Sequence, residues 1–253
     1  MSKKVILFNT PIDALTVSET IDTIDLAIHE KRQIHHIAVN VAKIVHMQTD
    51  KELYNSVVSA DIINADGLPL VWVSKLFGKP LPERVAGVDL MAKVVELAAS
   101  KGYKVFFLGA SEDVVKKTVE VYGKMYSPSI VAGYRNGYFK PEEEPAVSEQ
   151  IANSGADILF VAITSPKKEH FLFKYKEQLK NVSFIMGVGG SFDVVAGKVK
   201  RAPLWMQKTG LEWFYRIIQE PRRMWKRYLV TNSLFVYYIF SELFHRGKIK
   251  KTS

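Results

Sequence analysis

The residues best placed to do chemistry in this 253-residue chain sit where apolar runs end. The clearest case is DIINADGLPLVWV, residues 61–73. There Ile62 and Ile63 give way to Asn64, Ala65 and Asp66, a glycine follows, and residues 68–77 read as a helix opened by Pro69. A strand running into such a turn holds its last polar side chain over the carboxyl edge of a sheet, where open α/β folds keep their ligands. Asp66 is then a carboxylate over a crevice, with Gly67 letting a substrate approach the backbone; the plainer alternative is that Asp66 caps the helix after it.

The same punctuation recurs along the chain. Asn40 ends the apolar run 35–40, TSPKKE with Lys168 follows the run 157–163, and Gly187, Gly189, Gly190 and Asp193 follow the run 182–186. One carboxylate, glycine turns that can receive a nucleotide's phosphates, and several arginines suit the transfer of an activated group to a hydroxyl. With no D-x-D pair and no histidine-carboxylate cluster, a bridging metal is not expected, nor any cofactor, and protein cations have to take the charge of a departing diphosphate. Two weaker signals add to the set. Gly109, after the run 105–108, offers an anion site at a helix start, and Tyr138 in YRNGYFKPEEEP offers a ring that could stack on a base.

Stepping along the elements that must position these residues, strand-like and helix-like segments alternate. Strands are expected at 5–8, 35–40, 62–63, 105–108, 130–133, 157–163 and 182–186. Helices are expected from a Thr16/Glu19 capping box through 30, around Ile44 and Val45, and at 68–77, 88–99, 112–125 and 169–179, with a short one holding Asp193. Several strands are apolar on both faces, so the expected class is α/β: a Rossmann-like, mostly parallel sheet with helices on both faces, plus a basic helical C-terminal appendage.

Charge separates body from tail. Residues 197–253 hold 13 Lys and Arg against 3 Asp and Glu, whereas the residues before them hold 22 against 23. We therefore expect a catalytic domain over 1–201 and an appendage over 202–253 that meets a polyanionic surface. In the appendage, Leu229, Phe235, Val236, Ile239, Phe240 and Leu243 form one helical stripe flanked by Trp225, Tyr228, Arg222 and Arg227. The run is too short and too polar to span a bilayer, and the aromatic and cationic flanks favour a membrane interface over a protein partner. No cysteine and no long apolar leader point to a cytoplasmic setting.

Taken in order, NADGLPLVW, ERVAGVDL, FFLGAS, NGYF, SPKKE, GVGGSFDVVAGKVKRAP and GLEWFYRIIQEPRRMWKRYL resemble the WecG/TagA/CpsF family of bacterial glycosyltransferases over nearly the whole chain. The resemblance implies an inverting, metal-independent enzyme of cell-surface polysaccharide or teichoic acid synthesis. Such an enzyme moves N-acetylmannosamine or its uronic acid from a UDP donor to an undecaprenyl-diphosphate-linked sugar, at the inner membrane face. It implies Asp66 as general base, Asn40 on the sugars, Asp193 with the glycines before it on UDP, and a tail that closes over the site and docks on membrane. Arg216 and Arg223 are then the expected catalytic cations, Arg84 a further substrate contact, and Arg222 and Arg227 lipid contacts. Two departures bear on the donor: Ala38 stands where the family usually has threonine, and Lys168 where it usually has glutamine. A hexose or a uronic acid is therefore expected alongside N-acetylmannosamine.

Two other classes compete with this reading. A nucleotide-dependent oxidoreductase is disfavoured by the missing G-x-G-x-x-G fingerprint and missing ribose-binding acid. A non-enzymatic basic adaptor for lipid or nucleic acid would leave Asp66 without a role. Nucleic acid is not an expected partner, and a homo-oligomer is left open.

Overall fold

A computed structural model describes residues 3–165 and 167–249, without the side chains of Arg223 and residues 245–249. Its centre is a six-stranded sheet of β3 (Ile34–Val39), β4 (Ile62–Ala65), β5 (Val105–Gly109), β6 (Val131–Arg135), β7 (Ile158–Ala162) and β8 (Phe184–Gly187). Their order is β4-β3-β8-β7-β5-β6, and every neighbouring pair is parallel. All six strands therefore end at one edge.

Alternation along the strands divides the core into two faces. Phe107, Phe160 and Phe184 point to a first face, where α1 (Val17–His29), α5 (Gly87–Lys101), α6 (Glu112–Met125) and α9 (Ser191–Val195) cover them. Leu108, Leu159, Val161 and Ile185 point to a second face, packed by α7 (Glu144–Ala152) and α8 (Lys167–Lys174). Further along that second face, Val39, Ile63 and Ala65 meet α2 (Val41–Met47), α3 (Lys51–Val58) and α4 (Leu68–Leu76). Burial on both sides is why these strands read as unbroken apolar runs.

The first apolar run is not part of this sheet. It forms β1 (Lys4–Leu7), paired antiparallel with a second short strand, β2 (Thr10–Asp13). Phe8 and Asn9 make the turn at φ of 48° and 62°. Asn9 tolerates that region, but Phe8 is held there by burial, its ring 5.7 Å from Phe77 and 5.3 Å from Phe235. The hairpin shields the sheet's edge strand: the Asp13 carboxylate accepts the Ile63 amide at 2.8 Å and pairs with Lys4 at 3.3 Å.

The tail is α10 (Leu204–Lys208), α11 (Glu212–Gln219) and one long helix, α12 (Pro221–Ile249). Its apolar stripe splits in two. Phe235 is 4% exposed and, with Tyr238, Ile239 and Leu243, packs on the second-face core beside Phe8. Val236, Phe240 and Phe244 stay exposed. The expectation that Phe235 meets lipid is thus corrected: turn chemistry at Phe8 and Asn9 builds an apolar socket, and Phe235 fills it. None of the described helices is long and apolar enough to cross a membrane.

Candidate active site

β8 hands the chain to α9 on the first face, whereas its neighbours β3 and β7 hand it to α2 and α8 on the second. Loops that part in opposite directions open a crevice above the strand ends. Asn40, Lys43, Lys168, Glu169 and the turn at residues 187–190 flank it.

Asp66 lies just past β4. Its amide extends the ladder to the Val39 carbonyl at 2.7 Å, and the Val85 amide binds the Ala65 carbonyl at 2.9 Å, which brings Arg84 alongside. The helix-cap alternative does not hold. α4 is capped by Gly67, with φ at 159°, and has no side-chain capping bond. Asp66 makes no ion pair among the described residues. Loss of surrounding water pushes its carboxyl up from the ordinary value, with help from Glu212, against the pull of Arg84, Arg216 and the Gly87 amide. A Cβ at Gly87 would lie 3.6 Å from the Asp66 carboxylate and 3.9 Å from Ala38, so the small residue at position 38 forms the floor beneath the acid.

Asn40 serves as the N-cap of α2, its Oδ1 accepting the Lys43 amide at 3.0 Å. That places the Lys43 side chain at the crevice, half-buried and without a hydrogen bond or ion pair among the described residues. Burial, seconded by Lys168, pulls the Lys43 ammonium down to about 8, while Glu169 and Asp66 oppose the shift. Lys168 and Glu169 are both buried and 3.1 Å apart. Burial raises the Glu169 carboxyl, but Lys168 and Lys43 outweigh it and leave Glu169 below the ordinary value. Gly187 makes room for this pair, since a Cβ there would come within 2.9 Å of the Lys168 side chain. Gly189 turns in the left-handed region at φ of 53°, and Gly190 precedes α9 with the Asp193 carboxylate 3.8 Å from where its Cβ would be. The backbone of Gly189 and Gly190 is exposed at the rim.

Gly109 has a packing reason. At φ of 124° its Cα rests on Ala162, and a Cβ would sit 2.5 Å from the Ala162 carbonyl carbon. The helix start after it carries Glu112 and Asp113, two negative charges that oppose an anion there. Tyr138 is 82% exposed on a loop pinned by Lys167, whose ammonium donates to the Phe139 carbonyl at 2.7 Å and sits 4.2 Å over the Phe139 ring.

Two ion pairs that sequence spacing did not reveal lie here, the first of them joining the tail to the body. Arg84 Nη1 binds Glu212 of α11 at 2.5 Å, and Arg201 clasps Asp89 of α5 through both terminal nitrogens, one contact at 2.6 Å. Arg216, exposed one turn beyond Glu212, acts electrostatically on Asp66, and the side chain of Arg223 lies outside the described residues. Arg222, Trp225 and Arg227 are exposed at the start of α12, near Leu229 in the chain. Beneath the site, the buried Asn64 accepts from His36 Nε2 at 2.9 Å; burial drives His36 down to about 4, so it is neutral and ties β3 to β4.

A parallel sheet covered on both faces, with the Asp66 carboxylate making no ion pair among the described residues and a set of cations at its carboxyl edge, is the equipment of an α/β enzyme that transfers a group away from an anionic carrier. Residues 5–249 match the family described as Glycosyl transferase WecG/TagA/CpsF family, and the chain belongs to that family of glycosyltransferases. It is 42% identical over 177 residues to an N-acetylglucosaminyldiphosphoundecaprenol N-acetyl-beta-D-mannosaminyltransferase of Bacillus spizizenii, covering 70% of this chain and 67% of that one. A protein of the same description from Bacillus subtilis is 38% identical over 180 residues, covering 71% and 69%.

Proposed function

We propose that this glycosyltransferase moves a hexosamine, N-acetylmannosamine in the first instance, from UDP to a sugar carried on undecaprenyl diphosphate. The observation that carries the mechanism is Asp66: a carboxylate at the sheet edge that does not cap its helix and pairs with no cation among the described residues, with its proton affinity raised. Asp66 takes the proton of the acceptor hydroxyl as that oxygen bonds to the anomeric carbon. The bond from that carbon to the diphosphate oxygen breaks on the opposite side, UDP leaves with the electron pair, and the configuration inverts. Arg216 and Arg223 meet the charge that builds on the diphosphate. Asn40 holds the sugars and Asp193, with the exposed backbone of Gly189 and Gly190, the uridine nucleotide.

Lys43 and Lys168 support a second donor. The half-buried Lys43 and the buried Lys168, with the one carboxylate of Glu169 paired to Lys168, leave a positive surplus at the crevice, which suits a UDP-hexosaminuronate. The exposed Trp225, Arg222, Arg227 and Phe240 of α12 are the groups we assign to contact with anionic lipid on the inner membrane face.

The test is product formation from a panel of UDP-sugars and a short-chain polyprenyl diphosphate N-acetylglucosamine acceptor. Asp66→Asn should lower turnover by about 10²- to 10⁴-fold while UDP binding is kept. An Asp66→Asn protein that turns over like the parent removes the base from the mechanism.

A further inference from the structure

Arg84, Asp89, Arg201 and Glu212 form a closed ring of alternating charge beside Asp66. Glu212 lies 2.5 Å from Arg84 and 3.9 Å from the Arg201 Nε; Asp89 binds Arg201 through both oxygens and lies 3.9 Å from Arg84. Three members belong to the body, and Glu212 alone comes from α11 of the tail. Two guanidinium groups and two carboxylates sum to neutrality, so the tail supplies the charge that balances the ring. The Arg84 side chain is only 11% exposed, so it is poorly screened by solvent and strongly directed to whichever carboxylate is nearest.

We propose that Glu212 is a positioning residue of the transfer reaction: by clamping Arg84 it keeps that cation from pairing with Asp66, and it thereby makes the base competent only when the tail is docked. The proposal rests on the reading of Asp66 as general base. Without Glu212, the ring carries a surplus positive charge next to Asp66, which makes no ion pair among the described residues, and Arg84 and Asp66 would form the ion pair now absent. An acid held in such a pair is a weaker base. The same helix turn sets a second group. Arg216 follows Glu212 by four residues and so lies on the same side of α11, which means that docking through Glu212 brings Arg216 toward the departing diphosphate in the same movement.

The charged groups facing Asp66 define the direction of the effect. From the body these are Arg84 and Arg201, with the Gly87 amide and, from α2, Lys43; from the tail they are Glu212 and Arg216. Glu212 works with the loss of water to hold the Asp66 proton on, whereas Arg84, Arg216 and the Gly87 amide work to release it. Removing Glu212 must therefore move the titration of Asp66 to lower pH.

The experiment is a carbon-detected NMR titration of the side-chain carboxylates in the full chain, with the Asp66 signal assigned by its loss in Asp66→Asn. It needs no knowledge of the donor. In Glu212→Gln the Asp66 midpoint should fall below that of the parent. With UDP-N-acetylmannosamine or UDP-N-acetylmannosaminuronate and the short-chain acceptor, the acid limb of the kcat profile should fall with it and the plateau should drop about tenfold. UDP affinity by calorimetry should stay within about threefold of the parent, and Glu212→Asp should recover part of the plateau. An Asp66 midpoint that stays put or rises in Glu212→Gln overturns the proposal, as does a plateau equal to or above the parent's. Should Glu212→Gln not fold, Glu212→Asp reads the same midpoint, since its carboxylate is drawn back from Arg84. Asp66→Asn separates the two layers. If that variant stays active, the base reading fails; if it is dead while the Glu212→Gln midpoint is unmoved, only the role of Glu212 fails.

Discussion

Glu169→Gln is the perturbation whose size follows most directly from the geometry. Its carboxylate lies 3.1 Å from the Lys168 ammonium, and the two side chains are 6% and 9% exposed. Lys43 stands close enough to feel both, being pushed down by Lys168 and up by Glu169. Neutralising Glu169 leaves two cations in a desolvated corner with only the weaker field of Asp66 against them. Breaking a buried pair from one side costs about 3–5 kcal/mol, so at pH 7 the variant should melt roughly 10 °C below the parent for a domain of this size. The penalty has a defined pH dependence. Glu169 is one of the groups that hold the Lys43 proton on, so without it Lys43 binds its proton still less readily folded than unfolded, and the unfolded state holds more protons between the depressed folded value and the ordinary lysine value. Stability of the variant therefore rises with pH across that window, and its gap to the parent narrows from pH 7 toward pH 10. The double variant Lys168→Gln/Glu169→Gln removes one cation with the carboxylate and should recover a large part of the loss. Urea unfolding of the four proteins of the cycle, at pH 7 and 9.5, gives the coupling directly. A Glu169→Gln protein within about 1 kcal/mol of the parent, or a double variant no more stable than the single, would refute the buried-pair argument.

The other predictions concern the tail and the floor of the site. Phe235→Ala empties the socket beside Phe8 and should cost about 3–5 kcal/mol if the site cannot collapse; limited proteolysis should then cut within residues 204–249, and an unchanged digest would mean that the socket does not hold the tail. Ala38→Thr puts a hydroxyl beneath the Asp66 carboxylate, near Gly87. A hydrogen bond donated to the ionised form favours it, so the acid limb of the kcat profile should shift to lower pH, and a profile that does not move would mean that position 38 does not reach the acid.

The sequence determined the sheet and the rim by local means. Apolar runs of strand length, ended by glycine or a short polar residue and followed by helical periodicity, can fold economically only as parallel strands whose turns gather at one edge. That is why Asn40, Asp66, Lys168 and the turn at 187–190 were legible without coordinates, and why the helix 112–125 was placed with its observed bounds. Charge counting likewise marked the tail, because net charge needs no geometry. Tertiary structure decided what each of those groups touches. Phe8 and Asn9 turn the first apolar run into a hairpin because Phe8 finds Phe77 and Phe235, a contact spanning most of the chain. Gly109 is a glycine because the Ala162 backbone lies against it, which no residue near it in the chain announces. Lys43 and Glu169, and likewise Arg84 and Glu212, are more than 120 residues apart in the chain, and only the order of strands and the docking of α11 bring each set together. Periodicity fixes which side of an element a residue occupies. Which opposite charge arrives there depends on long-range packing, and that packing is what leaves the Asp66 carboxylate without an ion pair among the described residues at the edge of the sheet.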